Sequence, residues 1–233
     1  MRVIFMGTPD FAVPALEAVV AAGHTVVAVI CQPDRAKDRK GNLLPVSVKS
    51  AAQRLRLPVY AFERLREQCD FLRNLNADIG VTAAYGQILT QEILDIPKYG
   101  VINVHASLLP KYRGSSPIQW AVINGETETG VTIMQTEKGL DCGDILSVQA
   151  VPIPPSATAG DMFAILKTVG ARLLVGTLAQ IEHSGRLEGK KQDEALATKC
   201  TMLTKNDGLL NWRLDATTLY NRIRGLNPWP VAF

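Results

Sequence analysis

Two polar residues near the end of a short apolar run have side chains that can donate hydrogen bonds and move protons. Residues 101–105 read Val-Ile-Asn-Val-His, and the β-branched residues predict a buried strand. Because side chains alternate along a strand, Asn103 and His105 share one face and lie ~6.6 Å apart along it. Open α/β sheets place their chemistry at this end of a strand. The spacing alone is equally typical of a buried histidine with local hydrogen bonds.

A carboxylate between two glycines shifts the balance toward catalysis. Residues 138–144 read Lys-Gly-Leu-Asp-Cys-Gly-Asp, so Asp141 lies in a loop that can approach another loop closely. A carboxylate beside an imidazole stabilises the protonated ring and selects its tautomer. We therefore predict that Asp141 meets His105.

The strands and helices predicted around these residues largely alternate along the chain. Strands are predicted at 2–6, 25–30, 57–61, 78–84, 101–105, 131–136 and 145–153, and helices at 11–22, 47–55, 63–75, 117–124, 158–181 and 215–224. Thr8 is predicted to cap the first helix, with Pro9 at its first position. Gly170 and Gly176 are expected to bend or break the long helix. The fold class is α/β, a Rossmann-like, doubly wound and mostly parallel sheet.

Composition indicates an ordinary globular protein. The chain has 233 residues, 47% of them hydrophobic and 20% charged, and no uninterrupted apolar run long enough to span a bilayer. The N-terminus starts on a strand pattern without signal-peptide features. Four widely spaced cysteines and three separate histidines favour no zinc or other metal, no disulfides and a cytoplasmic location. A net charge of +3 is too small to indicate a nucleic-acid partner by itself.

Three motifs together resemble a known family. Asn103-x-His105, the Ser-Leu-Leu-Pro run at 107–110 and Gly-Leu-Asp-x-Gly at 139–143 resemble the signature of the 10-formyltetrahydrofolate-dependent formyltransferases. The longer run 107–118 and Gly-Thr-Pro-Asp-Phe at 7–11 are most similar to the methionyl-tRNA formyltransferases within that family. The resemblance covers essentially the whole chain.

The resemblance implies a reaction and residues that carry it out. It implies transfer of a formyl group from 10-formyltetrahydrofolate to the α-amine of initiator methionyl-tRNA, a step of translation initiation and one-carbon metabolism, without a metal. The catalytic residues would be Asn103, His105 and Asp141. The folate-binding residues would be Tyr85, Gly86, Ile88, Ser107, Leu108, Leu109 and Pro110.

A long polar connection at 31–49 is a candidate tRNA contact. It carries Arg35, Lys37, Arg39, Lys40 and Lys49 against two aspartates. Clustered cations suit a phosphate backbone, although a charged run is more often a solvated surface loop. The resemblance implies that Arg35, Lys37, Arg39 and Lys40 contact the tRNA acceptor arm, with Arg39 at the family's key basic position.

The end of the chain changes character. We predict a catalytic domain at 1–183, a polar linker at 184–205, and at 206–233 the beginning of a C-terminal domain. Gly-Leu-Asn-Pro-Trp-Pro at 225–230 resembles the start of the family's small tRNA-binding barrel, most of which we expect this chain to lack. We expect a monomer that binds folate and no membrane.

Three alternatives remain open at this point. The first is a formyltransferase that acts on a nucleotide sugar or another small amine, because such enzymes share the Asn-His-Asp set. The second is a folate-binding fragment without turnover on tRNA. The third, a Rossmann-like NAD protein, is disfavoured because the chain lacks Gly-x-Gly-x-x-Gly after its first strand.

Overall fold

A seven-stranded sheet lies at the centre of the structure, a computed structural model that describes residues 1–35, 37 and 41–233. Its strands are β1 (Arg2–Gly7), β2 (Thr25–Cys31), β3 (Val59–Ala61), β4 (Ile79–Ala83), β5 (Val101–His105), β7 (Glu128–Gln135) and β8 (Ile145–Pro152). Their order is β3-β2-β1-β4-β5-β7-β8. The first five strands pair in parallel, and β7 pairs antiparallel with both β5 and β8. The predicted α/β, mostly parallel sheet is confirmed.

Helices cover both faces of this sheet. They are α1 (Val13–Ala21), α2 (Ser47–Arg54), α3 (Cys69–Asn74), α4 (Gln91–Leu94), α5 (Pro117–Ile123), α6 (Ala159–Ser184) and α7 (Ala216–Gly225). Short 3-10 turns lie at Asp10–Ala12, Leu65–Glu67, Glu194–Leu196 and Lys205–Gly208. The single turn α4 was not predicted, because four residues carry too little periodicity to reveal a helix.

The two faces of the sheet form two separate cores, and β5 contributes to both. Ile102 and Val104 pack in the larger core with residues of α1 and α6. Val101 packs in the smaller core with residues of α3 and α4. The alternation predicted for this strand is therefore confirmed, and Asn103 and His105 belong to the α4 side.

Thr8 does not cap a helix, so that prediction is wrong. Pro9 occupies the position before the first 3-10 turn, and α1 begins only at Val13. The Thr8 hydroxyl instead donates to the Tyr85 carbonyl at 2.9 Å and accepts from the Gln32 N–H at 3.3 Å. Partners from two distant loops therefore replace the local capping bond.

The long helix α6 is unbroken over 26 residues, contrary to the expectation that its glycines would bend or break it. A Cβ on Gly170 would lie 2.9 Å from Val104 Cγ1, so this glycine allows the helix to lie close to the sheet. Among the described residues, α6 is long and apolar enough to cross a membrane by length and composition. Met162, Leu166, Leu174 and Leu178 of α6 are fully buried in the larger core, as in a core helix of a globular domain.

Residues after α6 return to the sheet. Lys190 and Ile145 exchange two main-chain hydrogen bonds of 2.8 Å each. A short parallel pair then joins β6 (Arg113–Gly114) to β9 (Lys199–Cys200). The segment predicted as a linker therefore runs along the loops that surround His105. Farther on, Leu203 and Leu226 pack against Ile123 of α5.

Candidate active site

The predicted polar pair, Asn103 and His105, lies in the carboxyl-terminal half of β5, beside the parallel strand β4. Thr82 of β4 is the register partner of Asn103 of β5. From β1 the chain proceeds outward to β2 and β3, and then returns to β4 on the other side of β1. Ligands of open α/β sheets bind in the crevice beside such a switch in strand order. Tyr85 follows β4 and His105 ends β5, so both belong to this edge of the sheet.

Asn103 is oriented by the neighbouring strand. The Thr82 hydroxyl donates to Asn103 Oδ1 at 2.8 Å. Because the amide is planar, its NH₂ group lies on the arm away from Thr82 and remains a donor. Sequence reasoning did not identify Thr82. The only signal was a hydroxyl inside the otherwise apolar strand β4.

His105 is held by a main-chain carbonyl. Its ring is buried, and Nε2 lies 2.9 Å from the Tyr112 carbonyl oxygen. A carbonyl can only accept, so Nε2 carries the hydrogen in the neutral ring. Nδ1 faces Asp141 Oδ2 at 3.7 Å, which is an ion-pair distance but too long for a hydrogen bond. Nδ1 therefore carries no hydrogen in the neutral ring and is the nitrogen that faces the carboxylate.

Asp141 meets His105 as predicted, and the glycines around it make the loop possible. The Gly114 N–H donates to Asp141 Oδ2 at 2.8 Å, and the carboxylate is 18% exposed. A Cβ on Gly143 would lie 1.9 Å from the Gln135 carbonyl oxygen. Gly139 has a φ of +150°, and a Cβ there would lie 2.5 Å from Cys142 Sγ. Only glycine allows the main chain to approach this closely.

The loop after β4 presents Ile88 and buries Tyr85. The Tyr85 side chain is 4% exposed, and its hydroxyl has no hydrogen-bond partner among the described residues. Burial raises the pKa of this hydroxyl well above its usual value. Gly86 has a φ of +86°, and Ile88 is 93% exposed. Ile88 is thus the side chain of this loop that a ligand can reach, while Tyr85 serves mainly in packing.

Residues 107–110 form a turn that is held by hydrogen bonds to Lys111 and Thr132. The buried Ser107 hydroxyl donates to the Lys111 carbonyl at 2.7 Å, and the Ser107 carbonyl accepts from the Thr132 hydroxyl at 2.7 Å. The Leu109 N–H in turn donates to the Thr132 hydroxyl at 3.2 Å. Ser107 and Leu109 are buried, whereas Leu108 and Pro110 are half-buried. This turn leads directly into Tyr112, whose carbonyl holds His105.

A cavity of about 820 Å³ opens beside Val101, the first residue of β5. It is lined by Gln91 and Leu94 of α4, by Val101 and by Thr136, Glu137 and Lys138 of the loop that carries Asp141. Val101 lies two residues before Asn103 on the same face of β5, so the cavity lies on the amino-terminal side of Asn103, and Asn103, His105 and Asp141 do not line it. Sequence reasoning missed this cavity, because its walls come from segments that are far apart in the chain.

The basic connection is described only in part. Arg35 pairs with Glu63 at 3.0 Å on the surface, and Lys49 pairs with Asp34. Lys37 is exposed, and its main chain forms an isolated antiparallel β-bridge with Leu43. Arg39 and Lys40, also predicted to contact tRNA, lie outside the described residues.

No three His, Cys, Asp or Glu side chains within the described ranges are grouped closely enough to hold a metal ion. The four cysteines, all of which are described, are free thiols.

The chain matches two family models. Residues 1–178 match the model described as formyl transferase, and residues 202–233 match the formyl transferase C-terminal domain. A methionyl-tRNA formyltransferase of Moorella thermoacetica is 52% identical over 235 residues, and one of Solibacter usitatus is 50% identical over 234 residues. Each comparison covers 100% of this chain and 75% of the relative.

Solved structures share the fold at low sequence identity. A 4-N formyltransferase from Francisella tularensis has a TM-score of 0.78 at 14% identity, covering 99% of this chain and 90% of that one. The N-formyltransferase from Helicobacter canadensis, in complex with folinic acid and dTDP-3-aminofucose, has a TM-score of 0.74 at 22% identity. That comparison covers 97% of this chain and 80% of the other.

Proposed function

The chain belongs to the formyl transferase family, and we propose that it transfers a formyl group from 10-formyltetrahydrofolate to the α-amine of initiator methionyl-tRNA. The observation that carries the choice of acceptor is the identity of 50–52% to methionyl-tRNA formyltransferases over the whole chain. The structures of sugar N-formyltransferases, at 22% identity or less, support the fold alone. The chain is therefore an enzyme of the methionyl-tRNA formyltransferase type.

Asn103, in this proposal, stabilises the charge that develops in the reaction. The acceptor amine attacks the formyl carbon, a new C–N bond forms, and an electron pair moves onto the formyl oxygen. The Asn103 NH₂ group donates to that oxygen, because Thr82 already occupies Oδ1 at 2.8 Å. When the intermediate collapses, the bond between the formyl carbon and N10 of the folate breaks.

His105 and Asp141, in the same proposal, handle protons. Protonated His105 donates from Nδ1 to the formyl oxygen, since Nε2 is held by the Tyr112 carbonyl at 2.9 Å. Asp141, 3.7 Å from Nδ1, stabilises the positive ring. The attacking amine must lose a proton and N10 must gain one. Asp141 relays that proton through water, so the exchange balances without a covalent enzyme intermediate.

The cavity beside Val101 is our proposed site for the ring system of the folate donor. Its volume of about 820 Å³ falls in the range of small-molecule sites. Leu140, two residues after Lys138 of the cavity wall, is 54% exposed, and Ile88, three residues before Gln91, is 93% exposed, so both apolar side chains are available to a flat ring. In this arrangement Gly86, with its positive φ, allows the turn that presents Ile88, and residues 107–110 form part of the folate-binding surface.

The basic connection is our proposed contact with the acceptor arm of the tRNA. Arg35 and Lys37 are exposed cations that phosphate oxygens can reach, and Arg39 and Lys40 add charge to the same stretch of sequence. The proposed domains are 1–183 for catalysis, 184–205 as a connection, and 206–233 as the beginning of the C-terminal domain. The separate family matches at 1–178 and 202–233 support this division.

Formyl transfer measured with competing acceptors tests the proposal. The chain is incubated with 10-formyltetrahydrofolate and either methionyl-tRNA or a nucleotide-linked amino sugar, and formylated products are quantified. We expect product with methionyl-tRNA only. Product formed only with the amino sugar would show that the acceptor is a sugar amine and not methionyl-tRNA. Folate binding without either product would indicate a folate-binding fragment. Asn103→Ala is the control for transfer that does not depend on the site.

A further inference from the structure

Residues 190–200, which we call the strap, touch both loops that hold the His105 ring. One of these loops carries Asp141, which faces Nδ1, and the other carries Tyr112, whose carbonyl contacts Nε2. The strap begins at the two main-chain bonds between Lys190 and Ile145 and ends at the strand pair of β6 with β9. The two partners of one catalytic ring are therefore joined by a third segment.

Gln192 of the strap is bonded to the Asp141 loop at two points. Its Nε2 donates to the Asp141 carbonyl at 2.9 Å and to the Gly143 carbonyl at 2.7 Å. Both hydrogens of the amide nitrogen are thus used on the same tight turn. Holding the main chain on each side of Cys142 fixes the direction in which the Asp141 side chain leaves the loop.

Arg113 holds Gln192 in this orientation. Arg113 Nε donates to Gln192 Oε1 at 3.0 Å, so the amide cannot turn its oxygen toward the two loop carbonyls. The guanidinium is 4% exposed and forms a bidentate pair with Glu194 at 2.7 and 3.0 Å. A buried cation with all of these partners is a structural anchor, because it has little capacity left for a substrate.

Thr198 holds the other loop. Its hydroxyl accepts from the Tyr112 N–H at 2.8 Å, and its N–H donates to the Pro110 carbonyl at 3.2 Å. The Tyr112 residue, with a φ of +60°, is thereby kept in a conformation that non-glycine residues rarely adopt. The Tyr112 carbonyl then faces His105 Nε2.

We propose that Gln192 is a positioning residue for catalysis, which sets Asp141 against His105, and that Thr198 does the same for the Tyr112 carbonyl. The inference rests on the proposed function, since it assumes that Asp141 and His105 act on the reacting atoms. Gln192 reaches the reaction only through Asp141. Its loss therefore lowers kcat and leaves the binding of the folate donor nearly unchanged.

A double-mutant cycle between Gln192 and Asp141 tests this role. Gln192→Glu keeps the acceptor for Arg113 but removes both donors to the loop, and Gln192→Met removes all three bonds at similar size. We expect each to lower kcat about 10- to 100-fold with the KM for 10-formyltetrahydrofolate within threefold of the parent. In the Asp141→Asn background the same changes should have no further effect, because the residue they position has already lost its charge.

The controls separate positioning from folding and from the choice of substrate. Leu196→Gln changes an exposed residue of the strap and should match the parent. Thr198→Val tests the second loop independently if a Gln192 variant fails to fold, as judged by circular dichroism and melting temperature. Losses that multiply with Asp141→Asn, or a kcat within twofold of the parent, would overturn the proposal. All variants are assayed with the amine that the parent protein formylates. If the parent does not formylate methionyl-tRNA, the proposed function is wrong, and the role of Gln192 is still tested with the other acceptor.

Discussion

Thr82 and Asn103 lie side by side on neighbouring strands, and the Thr82 hydroxyl donates to Asn103 Oδ1 at 2.8 Å although 21 residues separate them. The bond turns Asn103 Oδ1 toward β4, and the same hydroxyl lies 3.2 Å from the Ile102 carbonyl oxygen. This orientation leaves the NH₂ group as the arm that can stabilise negative charge. A residue of the adjacent strand is thus in direct contact with the proposed catalytic amide.

Replacing Thr82 should therefore reduce turnover without removing the catalytic amide. We expect Thr82→Val to lower kcat about tenfold, because the amide loses its bond and rotates away from the productive orientation. Thr82→Ser keeps the hydroxyl and should retain most of the activity. Steady-state kinetics with methionyl-tRNA provide the comparison. Equal activity of the valine and serine variants would show that the bond does not orient Asn103.

Removing the amide itself should have a larger effect. We expect Asn103→Ala to reduce kcat by about 10² to 10³, the usual cost of losing one donor to an oxyanion. Folate binding, followed by fluorescence quenching, should change little, because the amide acts when charge develops on the formyl oxygen. A kcat close to the parent value in folded Asn103→Ala would contradict the assigned role.

The glycines of the Asp141 loop should differ sharply from a glycine in a helix. Gly143→Ala would place a Cβ 1.9 Å from the Gln135 carbonyl oxygen, so the loop must move. We expect the free energy of unfolding to fall by about 1–3 kcal/mol. Gly176→Ala in α6 meets no atom within 4 Å and should stabilise the protein by about 0.5–1 kcal/mol. Urea unfolding measures both, and activity should fall only for the Gly143 variant. Similar unfolding free energies for the two variants would refute the close approach.

Thiol labelling should separate the four cysteines. Burial raises the pKa of Cys31 to about 11, and burial together with the nearby Asp141 charge raises that of Cys200 to about 12. At pH 8 their thiolate fractions are only about 10⁻³ and 10⁻⁴, and both side chains are buried. We expect a disulfide reagent to modify the half-buried Cys69 and Cys142 first, as mass spectrometry of digests would show. Rapid modification of Cys200 at pH 8 would contradict its burial against the 112–114 loop.

The basic connection should affect tRNA and not folate. We expect Arg39→Ala to raise the KM for methionyl-tRNA and to lower the slope of log KM against log salt by about one, as for the loss of one phosphate contact. The KM for 10-formyltetrahydrofolate should not change. Arg54→Ala removes a surface arginine of α2 that pairs with Glu17, and it provides the control for charge alone. If both variants change the KM for methionyl-tRNA and its salt dependence equally, the effect comes from net charge and not from a contact made by Arg39.

Local sequence patterns were enough to predict the seven strands of the main sheet, most of the helices and the face of β5 that carries Asn103 and His105. Alternation along 101–105 places Ile102 and Val104 in one core and leaves Asn103 and His105 on the other side, because the period of a strand is a local property. The glycines around Asp141 likewise indicated a close approach of main chains before any partner was known. The motifs also indicated the family that the comparisons then showed.

The groups that hold those residues in place could be identified only from the folded chain. Thr82 reaches Asn103 through strand register, the Tyr112 carbonyl selects the tautomer of His105, and Gln192 holds the Asp141 loop from 51 residues away. The capping role expected of Thr8 failed for the same reason, since loops distant in sequence supplied better partners. Residue type and spacing determine what a side chain can do, but its hydrogen-bond partners depend on how segments dock, and docking is a property of the whole packed chain.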